Sequence, residues 1–229
     1  MSKIKKKIIA IGGVGITPES DKSLDLFILN QLKNMKNDIG LLATASKDDE
    51  EKISSYYKRF ENTNSELSHF NLTSSVNGFS EWLLSKDLVY VGGGNTSFML
   101  EIWKKNNLEE IFRIAYEKGI ILTGVSAGAV CWFDWILSDS TGPGFKPLKG
   151  INLIEGSCTP HSSNVERINK FEFDIKNNKL PEGIAIDDGV AVVFIDGKPT
   201  EVYSTLDNHN AFFLDKNKKI NLKEYIRNL

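Results

Sequence analysis

The sequence predicts an α/β protein: a mostly parallel sheet with helices on both faces and a β-rich C-terminal part. Three observations lead there. Short apolar runs alternate with segments of helical periodicity through the N-terminal half. A serine, Ser126, stands where the apolar run Gly119-Ile120-Ile121-Leu122 gives way to a stretch that reads as a helix. Towards the C-terminus the apolar runs shorten and Asp-Gly pairs separate them.

Taken in order, Ile8 to Ile11 reads as a buried first strand, and 20–32, from Ser20 to Leu32, places Leu24, Leu26, Phe27, Ile28 and Leu32 at helical spacing. Ile39 to Ala43 is a second strand. In 48–60, Ile53, Tyr56, Tyr57 and Phe60 share one helical face. Leu67 to Leu72 and Leu88 to Val91 supply strands with a helix between them at Phe79 to Leu84, and Phe98 to Tyr116 carries one or two helices before the strand at Ile120. The stretch from Ser138 to Lys149 is rich in Ser, Gly and Pro and reads as an excursion, followed by a short apolar piece at Ile151 to Ile154. Ile184 to Ile186, Val190 to Ile195 and Glu201 to Tyr203 are short strands, and Asp188-Gly189 and Asp196-Gly197 favour hairpins between them. No repeat, low-complexity tract or long linker divides the chain, so residues 1–229 are expected to form a single domain.

Composition narrows the class. With 229 residues, 41% hydrophobic and 25% charged, the chain can bury a substantial core. A net charge of −2 and a pI near 6.0 argue against nucleic-acid or anionic-membrane partners, and the basic start Lys3-Ile4-Lys5-Lys6-Lys7 reads as a solvated tail. The apolar stretch after it is too short for a signal peptide and lacks a cleavage pattern, and no segment approaches the length of a membrane span. Cys131 and Cys158 show neither metal-ligand spacing nor a disulfide pattern. A reducing cytoplasm is therefore the expected compartment, with no metal and no cofactor.

Chemistry concentrates at Thr123-Gly124-Val125-Ser126-Ala127-Gly128-Ala129. A strand-to-helix elbow exposes a nucleophile, and small flanking residues are needed because the tight turn strains the backbone at the serine. A serine needs a base, and the chain has three histidines. His69 lies inside a predicted strand and His209 in the polar loop Leu206-Asp207-Asn208-His209-Asn210, where an exposed histidine is unremarkable. His161 follows Pro160 and precedes a helix start, at the mouth of an element, and is the favoured base. A carboxylate must then orient the imidazole, and Asp187 and Asp188 both stand at the end of the strand at Ile184 to Ile186. Adjacent residues there point to opposite sides, so one of the two faces the histidine. For the oxyanion, Val91-Gly92-Gly93-Gly94-Asn95-Thr96 follows a strand and opens a helix. The backbone N–H groups of Gly93 and Gly94, together with that of Ala127, are the candidate donors. Without the lysine of a P-loop or a full G-x-G-x-x-G, a phosphate cradle is the weaker reading of this loop.

Together with Ala43-Thr44-Ala45-Ser46 and Pro160-His161-Ser162-Ser163-Asn164, the paired GGGNT and GxSAGA motifs make most of the chain resemble the peptidase E family of serine peptidases, which includes cyanophycinase-like enzymes. That resemblance implies a class I glutamine amidotransferase-like fold. It also implies that Ser126 attacks a peptide carbonyl through a covalent acyl-enzyme while His161 shuttles the proton. The family's acid, usually Glu before a glycine, falls on Asp188, one methylene shorter. Members also use an Asp soon after the nucleophile, a region that here holds Asp134 and Asp139. The order Ser126, His161, Asp188 differs from the serine, acid, histidine order of α/β-hydrolases, and an amidotransferase would need cysteine where this chain has Ser126.

The expected substrate is a short peptide. Peptidase E proper prefers an N-terminal aspartate, which needs a cation, and Arg167 is the nearest candidate, with Asn95 a second substrate-binding residue. A helix-surface arginine paired with Glu166 or with solvent is the plain alternative for Arg167. The competing function is a non-catalytic binding or regulatory protein on the same fold, and a homo-oligomer is compatible with the sequence.

Overall fold

The computed structural model describes residues 4–13, 22–32, 36–61 and 63–228. Alternation of strand and helix dominates its first half. Strand β1 (Lys7–Ile11) is followed by α1 (Ser23–Leu29), β2 (Asn37–Leu42), a 3-10 turn at Thr44–Ser46, α2 (Glu50–Phe60), β3 (Ser65–His69), α3 (Phe79–Leu84) and β4 (Leu88–Val91). Two helices, α4 (Thr96–Lys105) and α5 (Glu109–Glu117), lead to β5 (Ile121–Val125) and the short α6 (Ala127–Val130). The second half contains β6 (Phe133–Ser138), β7 (Lys146–Lys149), β8 (Ile154–Thr159), α7 (Val165–Lys176), β9 (Gly183–Ile186), β10 (Val190–Ile195), β11 (Lys198–Ser204), β12 (Ala211–Leu214), β13 (Lys219–Asn221) and α8 (Leu222–Arg227). The helix expected over 20–32 is present as α1, and its expected first residue, Ser20, lies outside the described residues.

Strands form two mixed sheets. The first has the order β11-β10-β1-β5-β4-β2-β3, with β1, β5, β4, β2 and β3 parallel. The second, β13-β12-β9-β8-β6-β7, has a parallel centre of β9, β8 and β6. Alternation along the strands of the first sheet sends its side chains to two separate cores. Ile9 and Ile11 face α1 and α2, whose Leu24, Phe27, Ile28, Ile53, Tyr56 and Phe60 cover that side. Ile8 and Ala10 face the larger core, shared with Phe79 of α3, Trp103 of α4, Phe112 of α5 and the inner residues Ile136, Cys158, Ile184 and Ile186 of the second sheet. Burying each such large apolar side chain contributes about 1.5–3 kcal/mol. The outer face of the second sheet, with Leu137, Ala185 and Leu214, is covered by Ile168, Phe171 and Ile175 of α7.

Two features depart from the sequence expectation. The stretch after Ser126 contains β6, β7 and β8, because Asp134, Glu155, Gly156 and Ser157 break the apolar alternation that would have marked β6 and β8 as strands. Pairing makes up for this: Ser157 is fully buried and its Oγ donates to the carbonyl of Pro181 at 2.7 Å. The second departure concerns the two Asp-Gly pairs. Asp196-Gly197 does close the hairpin between β10 and β11, with φ of 50° and 81°, the positive pair that a two-residue turn of this hand demands. Asp188-Gly189 does not form a hairpin. Its flanking strands lie in different sheets, β9 against β8 and β12 and β10 against β1 and β11, so Asp188 sits where the chain crosses from one sheet to the other.

Candidate active site

Ser126 lies between β5 and α6 with φ 54° and ψ −111°, a strained conformation for a residue with a Cβ. Its N–H donates to the carbonyl of Ile11 at 2.9 Å, which pins the elbow to the end of β1. Space around the turn explains the small neighbours. A Cβ on Gly128 would stand 2.0 Å from the carbonyl oxygen of Val91, and one on Gly124 would stand 2.5 Å from that same oxygen.

His161 follows β8 with φ 50°, its N–H donating to the carbonyl of Gly12 at 3.1 Å. That backbone turn aims the ring at the elbow. His161 Nε2 lies 2.9 Å from Ser126 Oγ, and His161 Nδ1 lies 2.5 Å from Asp188 Oδ1. The other carboxylate oxygen of Asp188 accepts the Ser163 hydroxyl at 2.7 Å. The hydrogen bond from His161 is the main influence holding the Asp188 carboxyl below the usual carboxylate range, aided by the Ser163 hydroxyl and the charges of His161 and His209 and opposed by partial burial. An ionised carboxylate only accepts, so Nδ1 carries the ring proton and Nε2 is left to accept from the Ser126 hydroxyl.

Asp187 turns the other way. Its Oδ1 accepts the Ser162 hydroxyl at 2.5 Å and its Oδ2 accepts the N–H of Asn210 at 2.9 Å. Of the two adjacent carboxylates, Asp188 is the one on the histidine.

The glycine loop lies where the sequence puts it, between β4 and α4. A Cβ on Gly93 would be 3.4 Å from the Ser126 Cβ, so this backbone borders the elbow, and Gly94, with φ 148°, packs against the carbonyl of Ala45. The N–H groups of Gly93, Gly94 and Ala127 have no hydrogen-bond partner among the described residues. Asn95, expected to hold substrate, caps α4: its Oδ1 accepts the N–H of Phe98 and the Ser97 hydroxyl, each at 2.9 Å.

A cavity of about 220 Å³ opens beside Ser126 and His161, lined by Gly94, Val130, Ile136, Asp139 and Arg167 among others. Arg167 is not a helix-surface residue: it is 5% exposed. Its Nη2 donates to Asp139 Oδ2 at 2.9 Å and its guanidinium stacks 4.5 Å from the Phe145 ring, while Nε is buried with no partner. Asp134 faces elsewhere, paired with Lys149. Both cysteines are free and buried. Burial pushes the thiol of Cys131 well up, which leaves it protonated and unreactive. Among the described residues, no group of three or more His, Cys, Asp and Glu side chains could hold a metal ion, and no helix is long and apolar enough to cross a membrane.

Sequence reasoning passed over two contributors. Gly12-Gly13, at the end of β1, threads between Asp188 and His161. A Cβ on Gly12 would lie 2.2 Å from the Asp187 carbonyl oxygen, and one on Gly13 would lie 2.5 Å from His161 Nδ1. A glycine pair at the C-terminal end of a central parallel strand was the available signal. His209 is the other. It is half-buried, with Nδ1 2.8 Å from the backbone oxygen of Asp188, and nothing in its local sequence marks that contact. His69 lies in a strand, as expected, the edge strand β3, where it meets the Tyr57 hydroxyl at 2.9 Å.

A serine delivered by a strand-to-helix elbow to a histidine, on a largely parallel α/β scaffold, is an arrangement suited to acyl transfer. A profile of Peptidase family S51 matches residues 8–202, and the chain belongs to that family. It is 37% identical over 210 residues to the uncharacterized peptidase YgaJ of Bacillus subtilis, covering 90% of this chain and 91% of that one. Over 157 residues it is 24% identical to the uncharacterized peptidase PM1590 of Pasteurella multocida, with 65% of each chain covered. Among solved structures, a peptidase from an acI-B1 Actinobacterium superposes with a TM-score of 0.69 at 16% identity, over 96% of this chain and 94% of that one. A putative peptidase E protein from Listeria monocytogenes superposes with a TM-score of 0.60 at 18% identity, over 95% and 98%. These two share the fold.

Proposed function

We propose that this chain is a serine peptidase that cleaves short peptides after an N-terminal acidic residue, through Ser126, His161 and Asp188. Ser126 Oγ attacks the scissile carbonyl carbon as His161 Nε2 takes the hydroxyl proton. The tetrahedral oxyanion is met by the N–H groups of Gly93, Gly94 and Ala127, which are free to donate. Collapse breaks the C–N bond, and the imidazolium hands its proton to the departing amine. Water, deprotonated by His161, then releases the acyl group from Ser126. Throughout, Asp188 keeps the imidazole in the tautomer that leaves Nε2 open to Ser126 and stabilises the imidazolium.

The observation that carries this reading is the continuous hydrogen-bonded line from Ser126 Oγ through His161 to Asp188, at 2.9 and 2.5 Å. The cavity beside it supports the substrate class. About 220 Å³ suits one side chain, and its buried cation, Arg167, suits a carboxylate. Asp139 also lines that cavity and its side chain is 63% exposed, which suits it to the α-ammonium group of the same residue. A free N-terminal aspartate or glutamate offers both charges at once.

The test is a panel of Asp-X, Glu-X, β-aspartyl and neutral dipeptides assayed with the parent chain, Ser126→Ala and His161→Ala. Both variants are expected to fold and to lose activity by at least about a thousand-fold. Undiminished hydrolysis by either variant rules out the triad, and absence of cleavage across the panel by the parent favours a binding protein.

A further inference from the structure

The loop between β11 and β12 runs along the turn that bears Asp188, contacting it residue by residue. The N–H of Thr205 donates to the carbonyl of Gly189 at 3.0 Å. His209 Nδ1 reaches the backbone oxygen of Asp188 at 2.8 Å. The N–H of Asp187 donates to the carbonyl of Asn210 at 3.1 Å, and Asn210 returns its own N–H to the Asp187 carboxylate at 2.9 Å. In this zipper, His209 supplies the only side-chain hydrogen bond to the backbone of Asp188 among the described residues.

We propose that His209 is a positioning residue for Asp188, its imidazole N–H fixing the Asp188 peptide so that the carboxylate stays on His161. The proposal rests on the reading of Ser126, His161 and Asp188 as the reacting set. A backbone carbonyl can only accept, so the 2.8 Å contact requires a proton on His209 Nδ1 and defines the tautomer of this second ring. Geometry gives the bond its leverage. Asp188 lies at a crossing between two sheets and has regular pairing on neither side: its one ladder contact is an isolated bridge to Gly13. The neighbouring Gly189 has φ 71°; its N–H, on the same peptide plane, makes one long bond of 3.4 Å to the carbonyl of Gly13, and its carbonyl accepts from the Thr205 N–H and hydroxyl. Rotation of the Asp188 peptide would carry Oδ1 away from His161 Nδ1, and a shift near 1 Å in a reacting group costs about a hundred-fold in rate.

The experiment compares His209→Ala, His209→Leu and His209→Asn with the parent chain. Leu keeps bulk without a donor, and the Asn amide nitrogen can stand near the place of Nδ1 and donate to the same carbonyl. Two readouts are taken: kcat and KM on the best peptide of the panel, and the low-field proton resonance of His161 Nδ1–H, assigned by its disappearance in His161→Ala and Asp188→Asn. His209→Ala and His209→Leu are expected to lower kcat about ten- to a hundred-fold with KM within about two-fold, and to broaden the resonance or move it upfield. His209→Asn should recover most of both. If His209→Ala does not fold, His209→Leu carries the comparison. Unchanged kcat and resonance in a folded donor-less variant would overturn the proposal, as would a His209→Asn variant as impaired as His209→Leu. Full activity in Ser126→Ala, with the resonance responding as expected, would remove the triad reading and leave the positioning of Asp188 by His209 in place.

Discussion

Gly13 approaches Asp188 so closely that a Cβ on the glycine would stand 1.5 Å from the carboxylate oxygen Oδ1, the atom that meets His161 Nδ1. Absence of a side chain at position 13 is therefore a condition for the His161–Asp188 hydrogen bond. Gly13→Ala must displace the carboxylate, and turnover is expected to fall about a hundred-fold. Steady-state kinetics on a purified, folded variant checks this, and parent-like kcat would show that the turn yields without disturbing the histidine.

Asp187 and Asp188 separate two effects in adjacent residues. Asp187→Asn replaces an acceptor of two hydrogen bonds and is expected to cost about 1–3 kcal/mol of stability with kcat within several-fold of the parent. Asp188→Asn should lower kcat by about ten thousand-fold, because the amide favours the wrong imidazole tautomer. Urea denaturation and kinetics on both variants measure the contrast, and a reversed pattern would give the orienting role to Asp187.

Acid should weaken the folded chain through Asp188. Its carboxyl is held below its ordinary range, chiefly by the hydrogen bond from His161. A folded value below the unfolded one means that the ionised group stabilises the fold above the unfolded carboxylate range, near pH 4, and that this contribution disappears as pH falls through the lower, folded value. The stability gap between the parent chain and Asp188→Asn is expected to be full at pH 7 and to close towards pH 2. Urea midpoints across that range decide it, and a gap independent of pH would mean that the carboxylate's charge plays no part.

Arg167 and Asp139 should act on different charges of the substrate. Arg167→Met is expected to lower kcat/KM for Asp-X at least about ten-fold while leaving Ala-X within several-fold. Asp139→Asn should lower use of free Asp-X and leave an N-acetylated Asp-X unchanged. If Asp139→Asn instead improves Asp-X cleavage, Asp139 competes with substrate for the arginine and does not bind its amine.

Much of this architecture is legible in the chain because its signals are local. The strands β4 and β10, and β1 from Ile8 onward, are continuous apolar runs, and the glycines around Ser126 mark a backbone that must pass within about 2 Å of a Cβ position. His161 is readable from its Pro160 neighbour and the helix that follows. The strands β6 and β8 are not readable, since their mixed side chains become strand only by pairing with partners distant in sequence.

What the sequence by itself determined is the alternating α/β order, the elbow at Ser126 and the short set of groups able to serve it, because periodicity and turn chemistry act over a few residues. Tertiary structure alone decided that the chain divides into two sheets, that Arg167 is buried beside the serine, and that Gly13 and His209 lie against Asp188; it also brought Asp188 and not Asp187 to His161, a choice that the local residues left open and only the family resemblance favoured. Each of those depends on which strands pair across gaps of many residues, and Asp188 draws its geometry from the crossing between the two sheets. No local pattern encodes that crossing; it exists only once both sheets have formed.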